Sequence, residues 1–338
     1  MNVLLTCAGR RNYLVHVFQE ALAGQGLVIA ADASGDAPAL HEADMAFVVP
    51  SVTDRSYFDV ILDICKGNSV RLLISLNDLE LPVLARQRER FHEVGTIPAV
   101  SAPEIIDTCF DKWKAYLFLK QNGFATPKTY LSISEVCHAL EIGDVIFPVV
   151  VKPRWGTASI GIEYVYDKRE LELAYELIRK RVARSIIADV SAKDTERSVI
   201  VQQKLKGHEY GLDVVNDLDA NYVVTFAKRK LSMRAGETDR AVTVDNEELV
   251  KIGQGLGKTL RHVGNLDCDV IVEEGIPYVL EMNPRFGGGY PFSHVAGANI
   301  PAALIAWASG KKAKQEWLKV SPNVRASKCD RLVVARQC

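Results

Sequence analysis

The densest group of chemically capable residues in this chain lies between Asn265 and Pro291: Asn-Leu-Asp-Cys-Asp-Val-Ile-Val-Glu-Glu-Gly-Ile-Pro-Tyr-Val-Leu-Glu-Met-Asn-Pro-Arg-Phe-Gly-Gly-Gly-Tyr-Pro. The stretch reads as two antiparallel strands, Cys268–Val272 and Pro277–Met282, around a turn at Glu273-Glu274-Gly275. Successive side chains of a strand point to opposite faces, so Glu281 and Asn283 share one face and Met282 takes the other. In a short hairpin Asp269 can come near Glu281. Two carboxylates and an amide oxygen on a rigid sheet face are hard-oxygen donors suited to Mg²⁺. Arg285 and three glycines follow, placing a cation beside backbone that a ligand can approach closely. A metal with an anion-binding arginine suggests phosphate chemistry. Strand-face carboxylates are also commonly just solvated, and Asn-Pro before Gly-Gly-Gly is also an ordinary loop. Taken alone, the hairpin fits either reading equally.

The elements that must hold these residues begin with a strand–helix alternation. Strands are expected at Val3–Cys7, Leu27–Asp32, Ala46–Val49, Leu72–Leu76 and Thr96–Val100, and helices at Asn12–Ala23, Tyr57–Gly67 and Glu80–Phe91. That order implies an open, mostly parallel, Rossmann-like sheet with helices on both faces. Thr6-Cys7-Ala8-Gly9-Arg10-Arg11 has one glycine where a dinucleotide fingerprint needs three, which argues against such a site. Arg10, Arg11, Asp32 and Asp78 sit at strand ends, where these sheets bind ligands, but surface charge explains each at least as well.

From Pro103 the character changes. A helix Pro103–Asn122 carries Phe110-Asp111-Lys112, and a short helix Ser134–Leu140 starts at a Ser134 cap. The apolar strand Phe147–Lys152 leads into Arg154-Trp-Gly-Thr-Ala-Ser-Ile-Gly161, and a strand resumes at Ile162–Val165. Small residues with Gly156, Ser159 and Gly161 can lay backbone N–H groups around a phosphate that Lys152 also reaches; in isolation a plain hairpin loop accounts for them slightly better. A helix Lys168–Arg184, a strand Val199–Gln203 and a hairpin of Gly211–Val215 with Tyr222–Lys228 follow. Next come a polar loop over Lys230–Arg240, a strand Ala241–Val244 and helices Glu247–Val263 and Asn299–Ala308. Within the first of those helices, Gly253-Gln-Gly-Leu-Gly257-Lys258-Thr259 resembles a P-loop. It has one residue too few between its glycines and lies mid-helix, so it is structural.

Composition sets the bounds. The chain has 338 residues, 48% hydrophobic and 25% charged, as in ordinary soluble globular proteins. Lys plus Arg (41) and Asp plus Glu (42) nearly cancel, so no basic field points to nucleic acid. Seven scattered cysteines without a Cys-x-x-Cys pair suggest reduced thiols in a cytoplasmic protein. No signal peptide and no apolar run of membrane-spanning length is read.

Phe110-Asp111-Lys112, Val150-Val151-Lys152-Pro153 with its loop, Val201-Gln202 through Gly207-His208-Glu209-Tyr210, and Glu281-Met282-Asn283-Pro284-Arg285 occur in one order. Together they resemble the ATP-grasp superfamily, and among its members the proteins similar to the large subunit of carbamoyl-phosphate synthase. The resemblance covers about residues 1 to 310. It implies an N-terminal pre-ATP-grasp domain (1–102), two α+β lobes of an ATP-grasp fold (103–190 and 191–310) and a tail (311–338). It further implies that Lys112 and Lys152 contact the ATP phosphates and that the loop with Gly156, Ser159 and Gly161 closes over them. Gln202 and the Leu205 backbone would read adenine, and Glu209 would hold the ribose. Asp269, Glu281 and Asn283 would bind two Mg²⁺, or Mn²⁺, with Arg285 on the transferring phosphoryl group. Where the family has an acid at Gln202, an amide carbonyl accepts the same hydrogen bond. Charges clustered in Lys228–Arg240 make Lys230 and Arg234 candidates for a substrate carboxylate or the γ-phosphate, on even terms with a solvated charge run. Gly287 and Gly288 would line the same pocket.

The implied activity is ATP-dependent: a small carboxylate becomes an acyl phosphate and is joined to an amine, by positioning and electrostatics rather than by a protein nucleophile. Small-molecule acids and amines are the expected partners, with neither nucleic acid nor membrane, and a homodimer is reasonable. Two alternatives stand: phosphorylation of bicarbonate or carbamate, and a nucleotide-binding regulatory protein without turnover.

Overall fold

The computed structural model describes residues 1–156 and 161–335. The expected phosphate contact of Ser159 lies outside the described residues. Three sheets order the chain. The first holds β1 (Asn2–Thr6), β2 (Val28–Asp32), β3 (Met45–Val48), β4 (Val70–Ser75) and β5 (Ile97–Pro98), all parallel in the order β3-β2-β1-β4-β5. Its central strands β1, β2 and β4 are mostly apolar and buried because both faces are covered, whereas the edge strand β3 is largely exposed. Leu4, Ile29 and Leu73 pack against the helices Tyr57–Gly67 and Leu81–Arg86. On the other face Val3, Leu5, Ala30 and Leu72 join Phe286, Tyr290, Ile300 and Leu304 from the far end of the chain in one core. Burial of aromatics such as Phe286 and Tyr290 stabilises that junction by about 2–3 kcal/mol each. A continuous apolar core between the N-terminal sheet and the segment after Asn283 holds the two in one register.

The second sheet, in the order β6-β9-β7-β8, is antiparallel: β6 (Thr129–Tyr130), β7 (Val149–Pro153), β8 (Glu163–Val165) and β9 (Val199–Gln203). Helices Ile133–Glu141 and Lys168–Val182 cover it through Val136, Leu171 and Ile178. The first of these is capped by Ser132 rather than Ser134: Ser132 Oγ accepts from the Glu135 N–H at 3.2 Å.

The third sheet has the order β14-β13-β10-β11-β12-β15, with β10 (His208–Asn216), β11 (Tyr222–Arg234), β12 (Glu237–Val244), β13 (Gly264–Glu273), β14 (Ile276–Asn283) and β15 (Arg325–Ser327). The loop expected over Lys230–Arg240 is instead almost all strand, turning only at Ala235-Gly236. Its charged side chains face each other across the ladder, so hydropathy alone disguises it as a loop. Tail residues, too, form a strand at the sheet edge. Helix Glu247–Leu260 packs on β11, and the P-loop-like glycines permit that approach. A Cβ at Gly253 would lie 2.3 Å from Thr225 Oγ1, and one at Gly257 would lie 2.7 Å from the Tyr222 ring.

Two helices break where the sequence reads as continuous. Glu80–Phe91 divides at Gln87 into Leu81–Arg86 and Arg88–Glu93, and Pro103–Asn122 divides at Asp111 into Pro103–Phe110 and Lys112–Gln121. A short helix at Pro38–Glu42, begun by its proline, was not anticipated.

Candidate active site

The β13–β14 register places Asp269 directly opposite Glu281 and Asp267 opposite Asn283, with a bulge between Asp269 and Val270. Alternation therefore puts three carboxylates and one amide on a single face. Asp267 was not singled out in the sequence, although its spacing two residues before Asp269 is the signal. Lys230, on β11, extends its ammonium to Asp269 Oδ1 at 2.6 Å and Glu209 Oε1 at 2.7 Å. Burial pushes the Asp269 carboxyl up to about 6, with Lys230 pulling it down and Asp267 and Glu209 pushing it further up. For Lys230 the loss of water opposes the proton, but Asp269 and Glu209 outweigh it and hold the ammonium charged. Both groups keep protons more tightly, Asp269 chiefly because it is buried and Lys230 because two carboxylates face it.

Lys112, the first residue of helix Lys112–Gln121, and Lys152, near the end of β7, approach the same place. The helix break at Asp111 positions Lys112. Asp111 is extended (φ −95°, ψ 105°), bridges to Trp155, and accepts from the N–H groups of Trp113 and Lys114 as the cap of the next helix. Arg154 grips the Asp111 carboxylate with two hydrogen bonds of 2.8 and 2.7 Å and reaches Asp194 at 3.0 Å, so it is a brace at the root of the loop. Thus anchored, Lys112 donates to Gly156 O at 2.5 Å and stands 3.7 Å from Glu281 Oε1. Lys152 is buried at the end of β7 and donates at 2.7 Å to Gln202 Oε1, its diagonal neighbour on β9. The Gln202 amide donates in turn to Thr129 Oγ1 at 2.9 Å. Burial, reinforced by the charge of Lys112, lowers the Lys152 ammonium to about 8. Leu205 lies buried just past β9.

Arg285 is buried with two partners, Asp78 Oδ2 at 2.8 Å and Asp267 Oδ2 at 2.9 Å. Asp78, which surface charge seemed to explain, is thus a buried element of the site, brought there by the shared core. Arg11 also turns inward, donating to Leu76 O at 2.5 Å and Phe286 O at 3.2 Å. The glycines after Arg285 lie flat against the third sheet. A Cβ at Gly287 would meet Asp267 at 2.0 Å, one at Gly288 would meet Glu237 at 2.9 Å, and one at Gly289 would meet Lys228 at 2.7 Å. Below them Lys228 and Asp213 form a fully buried pair, 2.5 Å apart. Arg234 is not brought into this group. It lies at the exposed end of β11, paired with Asp239 at 2.9 Å and Asp330 at 2.6 Å, about 13 Å along the strand from Lys230.

The donor set suits a divalent magnesium ion. Among the described residues no three His, Cys, Asp or Glu side chains converge as a closed metal cage. Mg²⁺ in phosphate-handling sites is held by one or two carboxylates and the substrate's own phosphates. The opposed pair Asp269–Glu281, with Asn283 on the same face and surplus negative charge around it, fits that pattern.

Two antiparallel sheets thus bring cationic and acidic residues together beside a parallel sheet. A family model described as "ATP-grasp domain" matches residues 109–289, and one described as "PylC-like, N-terminal domain" matches residues 3–99. The chain belongs to the ATP-grasp family. It is 24% identical over 250 residues to a D-alanine–D-alanine ligase of Bacillus anthracis, covering 68% of this chain and 77% of that protein. To the carbamoyl phosphate synthase large chain of Pseudothermotoga lettingae it is 25% identical over 290 residues, 80% of this chain and 25% of that one. Among solved structures it resembles the biotin carboxylase domain of Hydrogenobacter thermophilus 2-oxoglutarate carboxylase, described in complex with MgADP, with TM-score 0.73, 16% identity and coverage of 94% and 72%. It also resembles the L-amino acid ligase of Bacillus licheniformis, with TM-score 0.66, 19% identity and coverage of 94% and 77%. The chain is accordingly an ATP-grasp enzyme of the C–N ligase class, with ATP and Mg²⁺ as its cofactors. No helix among the described residues is long and apolar enough to cross a membrane.

Proposed function

We propose that this enzyme activates a small carboxylic acid as an acyl phosphate and joins it to a small amine, releasing ADP and phosphate. The observation that carries the reading is the meeting of the opposed Asp269–Glu281 pair with the amines of Lys112 and Lys230 from separate sequence segments. Lys112 and Lys152 would hold the ATP phosphates, under the loop that includes Gly156, Ser159 and Gly161. Gln202 and the Leu205 backbone would face adenine, and Glu209 the ribose. Asp269, Glu281 and Asn283 would hold magnesium, which neutralises charge on the phosphates when bound. Arg285, steadied by Asp78 and Asp267, would face the phosphoryl group.

An oxygen of the acid attacks the γ-phosphorus, and the bond to the bridging oxygen breaks, with ADP leaving as the electron pair's owner. The amine nitrogen then attacks the acyl carbon, the carbon–oxygen bond to phosphate breaks, phosphate departs and the nitrogen loses a proton. Both steps gather negative charge on oxygens that lysine and arginine side chains face, and positioned cations accelerate such steps. We place the reaction in the cytoplasm, in keeping with the free thiols at Cys7, Cys65, Cys109, Cys137, Cys268 and Cys329.

The test pairs acids with amines and measures ADP and phosphate. Release that requires both substrates and is lost in a folded Glu281→Gln variant supports the reading. AMP as product rejects it. ADP release driven by bicarbonate alone replaces it with the carboxyphosphate alternative.

A further inference from the structure

A fully buried ionic cluster lies beneath the glycine run that follows Arg285. Lys228 on β11, Asp213 on β10 and Ser293 in the helix Tyr290–Val295 are each inaccessible to water. The Lys228 ammonium pairs with Asp213 Oδ2 at 2.5 Å and donates to Ser293 Oγ at 3.3 Å. The Ser293 hydroxyl donates to the same Asp213 oxygen at 2.5 Å, and Asn265 Nδ2, from β13, donates to the other at 3.3 Å. Three strands and one helix are thereby closed into a single ring of contacts.

The ring shares a sheet face with the site. Asp213 stands directly opposite Asp267, the carboxylate that holds Arg285. Lys228 lies on the same face two residues before Lys230, across from Gly211, which in turn is opposite Asp269. Gly289 rests on the stem of Lys228, where a Cβ would lie 2.7 Å from Cε. Earlier in the run, a Cβ on Gly287 would lie 2.0 Å from the Asp267 carboxyl carbon, so a shift of the run presses on Asp267 and turns Arg285. Ser293 ties down the helix at the far end of the run.

Stability alone does not account for this cluster. Taking a lysine and an aspartate out of water is unfavourable, and an apolar pair of similar volume is often as stable or more so. What the ions add is direction: the ammonium must meet Asp213 and Ser293, which leaves its stem one place beneath Gly289. We propose that Lys228, Asp213 and Ser293 are positioning residues for phosphoryl transfer, setting the height of the Gly287–Gly289 backbone and, through Asp267, the aim of Arg285. The proposal rests on the ligase reading above. The nucleotide contacts assigned there to Lys112, Lys152 and Gln202 belong to other elements, so the ring acts on the rate of transfer and not on the grip on ATP.

The experiment compares the full-length wild type with Lys228→Met, Lys228→Met/Asp213→Leu and Ser293→Ala. Urea unfolding, amide hydrogen exchange over 286–293 and ADP release with acid–amine pairs are measured on each. Lys228→Met strands the Asp213 charge and loses stability, whereas the double variant regains the wild-type midpoint. Exchange over 286–293 in the double variant nonetheless quickens about tenfold, and kcat falls about tenfold while the KM for ATP moves less than about twofold. Ser293→Ala keeps the ion pair and moves exchange and kcat the same way by a smaller factor; it carries the comparison if the double variant does not fold. A stable double variant, or a folded Ser293→Ala enzyme, with wild-type exchange and kcat overturns the proposal. So does a KM for ATP that rises as far as kcat falls. If the wild type releases no ADP with any pair, the ligase reading falls, and exchange alone then decides whether the ring sets the backbone.

Discussion

Lys152 offers a quantitative test of the phosphate contacts proposed above. Its ammonium is buried against Gln202 and lowered from 10.5 to about 8 by the loss of water and by the neighbouring charge of Lys112. A displacement of that size corresponds to about 3 kcal/mol against the charged form. In the proposed mode the ATP phosphates lie beside it and reverse the cause, so nucleotide binding is expected to draw a proton onto Lys152. With a free-enzyme value near 8, about three-quarters of the molecules carry the proton at pH 7.5 and about one-tenth at pH 9. Apparent affinity for ATP should fall about eightfold over that interval, with about 0.9 proton taken up per nucleotide at pH 9. Calorimetry in two buffers of different ionisation enthalpy reads both quantities. In Lys152→Gln the affinity is lower throughout and this part of the pH dependence disappears. A wild-type affinity that is flat from pH 7.5 to 9, or a slope unchanged in the variant, would refute the reasoning. The sign for stability is also fixed. The folded value lies below the unfolded one, so the unfolded chain binds the extra proton between about pH 8 and 10.5, and this group's contribution to stability grows with pH across that window.

Further outcomes follow from packing and burial. Gly257→Ala should lower stability by about 1–3 kcal/mol, through the contact at 2.7 Å with the Tyr222 ring, and leave ATP affinity unchanged; a loss of nucleotide binding in a folded variant would revive the P-loop reading. Asp78→Asn leaves Arg285 with one full carboxylate and should cost about 3 kcal/mol in urea unfolding and most of the turnover, with Asp78→Glu recovering more activity than Asp78→Asn. An Asp78→Asn enzyme with full rate and stability would remove the N-terminal sheet from the site. Burial lowers His262 from 6.5 to about 3, so the stability it contributes is complete above pH 6.5 and drains as pH falls toward 3. At pH 4.5 that is about 2.7 kcal/mol, and His262→Phe should show a correspondingly shallower acid loss in denaturant titrations.

Much of the site was legible because it is written locally. The period-2 alternation of β13 and β14 and their short turn suffice to bring Asp269 near Glu281, and the strand–helix alternation before Pro103 yields the parallel sheet in its observed class. What stayed hidden depends on contacts distant in sequence. Asp78 looks like surface charge until the core around Phe286 and Tyr290 carries Arg285 to it. Asp111 looks helical because its neighbours are; the chain turns there because Asp111 bridges to Trp155, caps the next helix and is gripped by the Arg154 guanidinium, contacts that sequence pattern does not show. The β11–β12 hairpin looks like a polar loop because its charges are matched across the ladder and by Asp330 in the tail. Lys328 and β15 carry no apolar period at all; they are placed by edge pairing and by Glu237.

The central claim is that the acid is phosphorylated before the amine attacks. It is tested most directly with a carboxylate labelled with ¹⁸O in both oxygens, turned over with ATP and an amine, and the released phosphate examined by mass spectrometry. The account predicts one labelled oxygen in each phosphate, with ADP formed in equal amount. Unlabelled phosphate, or label recovered in AMP, would contradict it.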